Sequence, residues 1–174
     1  MQEDRKNIYL LDANIIITAH NLYYPVSKVP EFWDWLEFHA KNGSIAIPRE
    51  IHEEIKGGND AEHVRWAKDG ARKKLLILDE EFNQDLLERV INEGYAPDLN
   101  EVELDRIAMD PVLVAYALAD PKNRIVVTNE VSKPSRKRQN RHVPDVCSAV
   151  GARCCNVYQM LRDLDFRTNW KSNV

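Results

Sequence analysis

The stretch Ile8-Tyr9-Leu10-Leu11-Asp12-Ala13-Asn14-Ile15-Ile16-Ile17 decides the fold. Four apolar residues run directly into a carboxylate, and an amide follows two positions later. A short continuous apolar run is the pattern of a strand covered on both faces, as in a parallel sheet. Asp12 then stands at the carboxyl end of that strand, where open α/β sheets place their ligands. A carboxylate buried there is costly unless something pairs with it, and a divalent cation is the usual compensator. The same position suits the N-cap of a following helix, so this stretch alone leaves both roles open.

Working outward, strands and helices alternate. Asn14 to about Leu22 reads as a short helix or turn, ended near Tyr23-Tyr24-Pro25. Pro30-Glu31 opens a helix to about Lys41, stopped by Asn42-Gly43. Its Phe32, Trp33, Trp35, Leu36 and Phe38 are expected in the core rather than as a surface for a partner. Ser44-Ile45-Ala46-Ile47 is a second strand closed by Pro48, and the helix after it stops at Gly57-Gly58. On that helix Glu50 and Glu54 share a face beside the one carrying Ile51 and Ile55, which aims a carboxylate at the mouth of the sheet. Residues 61–74 and 80–92 read as two helices joined by an extended Leu75-Leu76-Ile77-Leu78. Gly94 to Asn100 reads as a loop, and Glu101 to Ile107 as a helical turn. Together, residues 60–105 are expected as a helical insertion over one edge of the sheet.

Asp110-Pro111-Val112-Leu113-Val114-Ala115-Tyr116-Ala117-Leu118-Ala119 is a well-marked helix. Asp110 reads as its N-cap, a structural task that needs no metal. Ile125-Val126-Val127 is a third strand, and it runs into Thr128-Asn129-Glu130. A second strand thus delivers a carboxylate at its C-terminal end, and parallel strands put those ends on one edge. Pro144 opens a helix carrying Asp145 and stopped at Gly151; Ala152 to Asn156 reads as a last strand and Val157 to Leu164 as a closing helix. The expected architecture is α/β: one domain over residues 1–174, a three-layer α/β/α sandwich around a mostly parallel sheet.

Asp12, Glu54, Asp110 and Glu130 all fall at strand ends or in the helices beside them. Carboxylates gathered without a cation repel and raise one another's pKa. Oxygen-rich sites of this kind suit Mg²⁺ or Mn²⁺, which can generate a hydroxide nucleophile and stabilise the leaving oxygen of a phosphodiester. A phosphatase using Asp12 as nucleophile is disfavoured because Asn14 stands where the haloacid-dehalogenase type wants a second aspartate. His20, His52 and His142 are available for proton transfer, with no spacing that singles one out.

The net charge is −4, unevenly spread. Residues 131–142 hold Lys133, Arg136, Lys137, Arg138 and Arg141 and no acid, so +5 sits there and −9 on the rest. Arg136, Lys137, Arg138 and Arg141 are candidates for RNA phosphate contacts, which need charge and little geometry. A solvated loop is the equal alternative. Cys147, Cys154 and Cys155 are odd in number and lack zinc spacing, which fits reduced thiols. The charged start, Met1 to Lys6, reads as no signal peptide, and no apolar run is long enough to span a membrane. A cytoplasmic location is the expectation.

The order Leu-Leu-Asp12-Ala-Asn14, Glu54-Ile-Lys-Gly57, Asp110-Pro-Val-Leu-Val-Ala-Tyr-Ala and Val-Val-Thr128-Asn-Glu130 resembles a PIN domain over nearly the whole chain. It is most similar to the VapC-like branch of prokaryotic toxin–antitoxin systems, and Val143-Pro-Asp-Val-Cys147 resembles a subgroup of that branch. The resemblance implies a Mg²⁺- or Mn²⁺-dependent endoribonuclease that leaves a 5′-phosphate and a 3′-hydroxyl. It implies RNA as substrate, a small antitoxin as partner, and a homodimer. Asp12 and Asp110 would be the main metal-binding and catalytic carboxylates, with Glu54 beside them, chosen over Glu50 and Glu53 because it precedes Ile55 and the glycine pair. Glu130 stands where the family usually has aspartate, one methylene shorter. Asn14 and Thr128 would orient carboxylates or water, and Asp145 would either add a carboxylate or cap its helix. The alternative reading is a PIN-like module that binds RNA or protein without cutting.

Overall fold

Five short strands hydrogen-bond into one wholly parallel sheet, in the order β3-β2-β1-β4-β5. The computed structural model describes residues 7–58 and 61–174; the charged start, on which the expectation of no signal peptide rests, lies outside them. The strands are β1 (Ile8–Leu11), β2 (Ile45–Pro48), β3 (Ile77–Leu78), β4 (Arg124–Val127) and β5 (Arg153–Cys155). The helices are α1 (Ala13–Thr18), α2 (Pro30–Lys41), α3 (Arg49–Glu53), α4 (Glu62–Lys68), α5 (Gly70–Leu76), α6 (Gln84–Arg89), α7 (Glu101–Ile107), α8 (Asp110–Leu118), α9 (Val143–Val150) and α10 (Val157–Asp163). Two of them continue as wider π turns, α1 through Ala19–Tyr23 and α6 through Val90–Tyr95.

The three central strands explain their own placement. All of β2 and β4 and the last three residues of β1 are buried, as runs of isoleucine, leucine and valine require when helices cover both faces. α2 and α5 pack on each other and on β2, while α8 and α9 pack on each other and on β4 and β5. That is the expected sandwich. Phe32, Trp33, Trp35 and Leu36 of α2 are buried, and Phe32 and Trp35 meet Phe166 from the C-terminal segment. α8 is buried from Pro111 to Leu118, apolar on every side, so it runs through the core rather than over it.

Several expectations need correction. The segment expected as a helical insertion over one sheet edge is not helical throughout: it supplies β3, which pairs with β2 at Ile47↔Ile77 and Pro48↔Leu78. It also buries Trp66, Ala67, Leu76, Val90 and Tyr95 in the core. The expected extended run Leu75–Leu78 is helical to Leu76, because a short apolar run carries no period that separates helix from strand. Asp110 is the first residue of α8 and not its cap; Met109 holds the N-cap position, with no side-chain capping bond.

The strand order places the site. The chain steps outward from β1 to β2 and β3, then returns to lay β4 on the other side of β1. The C-terminal ends of β1 and β4 therefore border the point where the direction of winding reverses, the crevice that α/β folds use for ligands. Leu11 pairs with Val127 there, and Asp12 N–H donates to the Val127 carbonyl at 3.0 Å.

Candidate functional site

Asp12 leaves β1 directly into this crevice and is 7% exposed. Its Oδ1 accepts from the backbone N–H of Asn14 at 3.2 Å, which caps α1. Its Oδ2 accepts from the Thr128 hydroxyl, also at 3.2 Å. Both roles that the sequence left open for Asp12 are therefore compatible, since one oxygen caps the helix and the other faces the end of β4. Thr128 Oγ1 in turn accepts from Glu130 N–H at 3.2 Å. Glu130 Oε2 accepts from Val143 N–H at 2.7 Å, a bond that joins the end of β4 to the start of α9. Asn14 is exposed, and it serves Asp12 through its backbone and, more weakly, its amide.

Glu54 caps the C-terminus of the one-turn α3, and its two neighbours sort themselves away from the crevice. The Glu50 carboxylate meets the Tyr116 hydroxyl at 3.1 Å, and Glu53 pairs with Lys73 at 3.1 Å. The Asp12 charge raises the Glu54 pKa, behind burial as the larger cause. Asp110 enters from the start of α8, reached through Ala108 at φ 44° and ψ −121° and Met109 at φ −96° and ψ 0°. Those dihedrals are a type II′ turn with alanine in the position that favours glycine. Local strain thus lies two residues from the carboxylate.

Electrostatics show the convergence. Burial, then the charges of Asp12, Glu130 and Glu54, push the Asp110 carboxyl up from 3.8 to about 8. Burial also raises Asp12, against the Asn14 and Thr128 hydrogen bonds, with the Glu130 charge adding to the rise. Among the described residues none of the four takes part in an ion pair, and Lys56 opposes Glu54 only weakly. No described side chain hydrogen-bonds to the carboxylate of Asp110 or Glu54. The crevice is an uncompensated acidic cluster from four separate segments, a donor set that fits a hard divalent cation. Among the described residues no three histidine, cysteine or acidic side chains stand as a ready-made metal cage. Mg²⁺ asks for less, one or two carboxylates with the rest of its shell water.

Other candidates are not brought to this cluster. Asp145 accepts from the Ser132 hydroxyl and from Lys133 N–H at 2.7 Å, so it ties down the loop after β4 and contributes no carboxylate to the crevice. Arg138 forks onto Glu103 at 2.7 Å and also bonds Asp98 at 2.7 Å. Arg141 donates to the carbonyls of Gly94 and Asp145. These two arginines act as ties within the fold, whereas Arg136 and Lys137 are exposed and enter no side-chain hydrogen bond or ion pair among the described residues. The three candidate histidines each make a hydrogen bond within the fold. His52 is buried and donates to the Ala67 carbonyl at 2.9 Å, His142 donates to the Val131 carbonyl at 2.8 Å, and His20 Nδ1 accepts from Val26 N–H at 3.2 Å. All three cysteines are free thiols.

One residue at the crevice has no counterpart in the sequence reading. Tyr95 is 6% exposed, and its hydroxyl is buried with no hydrogen-bond partner among the described residues. Asp110 and Glu130 lie near enough for their charges to raise its pKa, after burial. Its position in an expected loop gave no signal, because the π turn that buries it depends on packing against α9.

A protein-family model described as a domain of unknown function (DUF4411) matches residues 9–168, and the chain belongs to that family. No curated protein matches the sequence.

Proposed function

We propose that this member of the family is a Mg²⁺- or Mn²⁺-dependent endoribonuclease of the PIN type, acting as the toxin of a VapC-like toxin–antitoxin pair. One observation supports the reading: the charges of Asp12, Glu54 and Glu130, carried on three other segments, all act on the buried Asp110 carboxyl at the switch point, and none of the four is in an ion pair among the described residues. A structural cluster of that kind would be expected to hold an arginine or lysine. The toxin role, an antitoxin that blocks the crevice, and a cytoplasmic location rest on the motif resemblance alone. Among the described residues no helix is long and apolar enough to cross a membrane.

Asp12 and Asp110 would hold the ion most directly, with Glu54 and Glu130 flanking them. When bound, the ion supplies a nucleophilic hydroxide at neutral pH and neutralises charge on the phosphodiester. The chain's own residues supply placement. Thr128 and the Asn14 backbone fix the rotation of the Asp12 carboxylate, so its two oxygens present one geometry. Glu130 reaches Val143 N–H with its longer side chain, which holds the β4–α9 loop against the crevice. Arg136 and Lys137 at the tip of that loop would meet the RNA backbone, whose phosphates need charge more than geometry.

The test is cleavage of a structured RNA pool with Mg²⁺ or Mn²⁺ by wild type, Asp12→Asn and Asp110→Asn. Cutting that needs the metal and disappears in both variants is the expected result. Equal cutting by all three would reveal a contaminant. Metal binding without cutting would favour the non-catalytic module.

A further inference from the structure

The buried hydroxyl of Tyr95 calls for a physical account, since buried polar groups in folded proteins almost always have partners. The chain places this residue with care. Val90–Tyr95 is a π turn, a rare geometry often found at functional sites. It packs closely on α9, because a Cβ added at Gly94 would lie 2.6 Å from Val146 Cγ1. Arg141 holds the Gly94 carbonyl, and Arg89 donates to the Val150 carbonyl at 3.1 Å. Ala96 N–H also donates to the Ile91 carbonyl at 3.0 Å, and the π turn packs on α8 as well as α9, so the ring is held where the charges of Asp110 and Glu130 act on its hydroxyl, which has no hydrogen-bond partner among the described residues.

We propose that Tyr95 is a positioning residue of the acidic crevice, its hydroxyl donating to the Asp110 carboxylate when a divalent cation is bound. The inference rests on the metal reading above. A neutral donor suits this place. An arginine or lysine would satisfy Asp110 equally well, but it would neutralise the charge that attracts the cation. A phenol orients one carboxylate oxygen and leaves the crevice's negative charge intact. The Asp110 side chain is free for this bond, having no other donor among the described residues.

The test compares wild type with Tyr95→Phe, which keeps the ring and removes the hydroxyl. Mn²⁺ affinity by isothermal titration calorimetry should fall about tenfold, the value of one hydrogen bond to a charged group. Thermal stability without metal should be unchanged or higher, because the variant loses only an unpartnered polar atom. In wild type labelled with ring ¹³Cζ-tyrosine, the resonance missing from Tyr95→Phe should shift when Mg²⁺ is added. Equal Mn²⁺ affinity in the two proteins, or a resonance that stays still while Mg²⁺ binds, overturns the proposal and leaves the metal reading standing. Lower stability of the metal-free variant also overturns it, since the hydroxyl would then have a partner of its own, such as a buried water. A wild type that binds no Mn²⁺ overturns both.

Discussion

Replacing Asp110 with asparagine should stabilise the metal-free protein, and by more as the pH rises. The carboxyl is held at about 8 in the folded chain against an ordinary 3.8, so folding takes up a proton between those values. Stability contributed by this group is therefore greatest below pH 4 and is lost as pH rises towards 8. Each pH unit is worth at most about 1.4 kcal/mol, so the roughly three units between 3.8 and 7 set a ceiling of about 4 kcal/mol. Sharing of the repulsion among four carboxylates brings the expected gain nearer about 2 kcal/mol at pH 7. The attraction of a negative charge to the start of α8, worth about 0.3–1 kcal/mol, is hardly at stake at pH 7, where a carboxyl held at about 8 is mostly protonated, so the gain stands. It loses no hydrogen bond among the described residues. Urea denaturation without metal at pH 5, 7 and 8.5 measures this. A gain that grows from pH 5 to pH 8.5 is expected. An asparagine variant less stable at pH 7, or a gain that ignores pH, would refute the claim that Asp110 is destabilised by its neighbours.

Three further outcomes follow from the geometry. Gly94→Ala should cost about 1–3 kcal/mol in thermal or urea denaturation, because its Cβ meets Val146 Cγ1 at 2.6 Å. Ala108→Gly should raise stability by about 1 kcal/mol in the same assay, relieving an alanine held at φ 44°. Arg138→Ala should leave the sheet intact yet expose residues 131–142, read as faster hydrogen exchange and proteolytic nicking confined to that loop, since Arg138 is its tie to Glu103 and Asp98.

The parts of the site that follow from local pattern were legible in the sequence. Leu10-Leu11-Asp12 and Val126-Val127-Thr128 each end a buried strand, and two parallel strands put their ends together. Glu54 was separable from Glu50 and Glu53 by its motif alone, whereas the partners of the other two, Tyr116 and Lys73, lie 66 and 20 positions away and could not be read locally. What stayed hidden depends on residues far apart in the chain. The count of five positive charges in residues 131–142 could not say that Glu103 and Asp98 absorb Arg138, 35 and 40 positions earlier. β3 is two residues long, too short for any period, and exists because β2 offers an edge at Ile47 and Pro48. Tyr95 reads as a loop tyrosine until α9 is laid against Gly94.

The most direct measurement is anomalous X-ray diffraction from crystals of the protein soaked in Mn²⁺. An anomalous peak between Asp12 and Asp110, bordered by Glu54 and Glu130, that vanishes in Asp12→Asn is the expected result. Full Mn²⁺ occupancy elsewhere on the chain, or an empty crevice at saturating Mn²⁺, would contradict it.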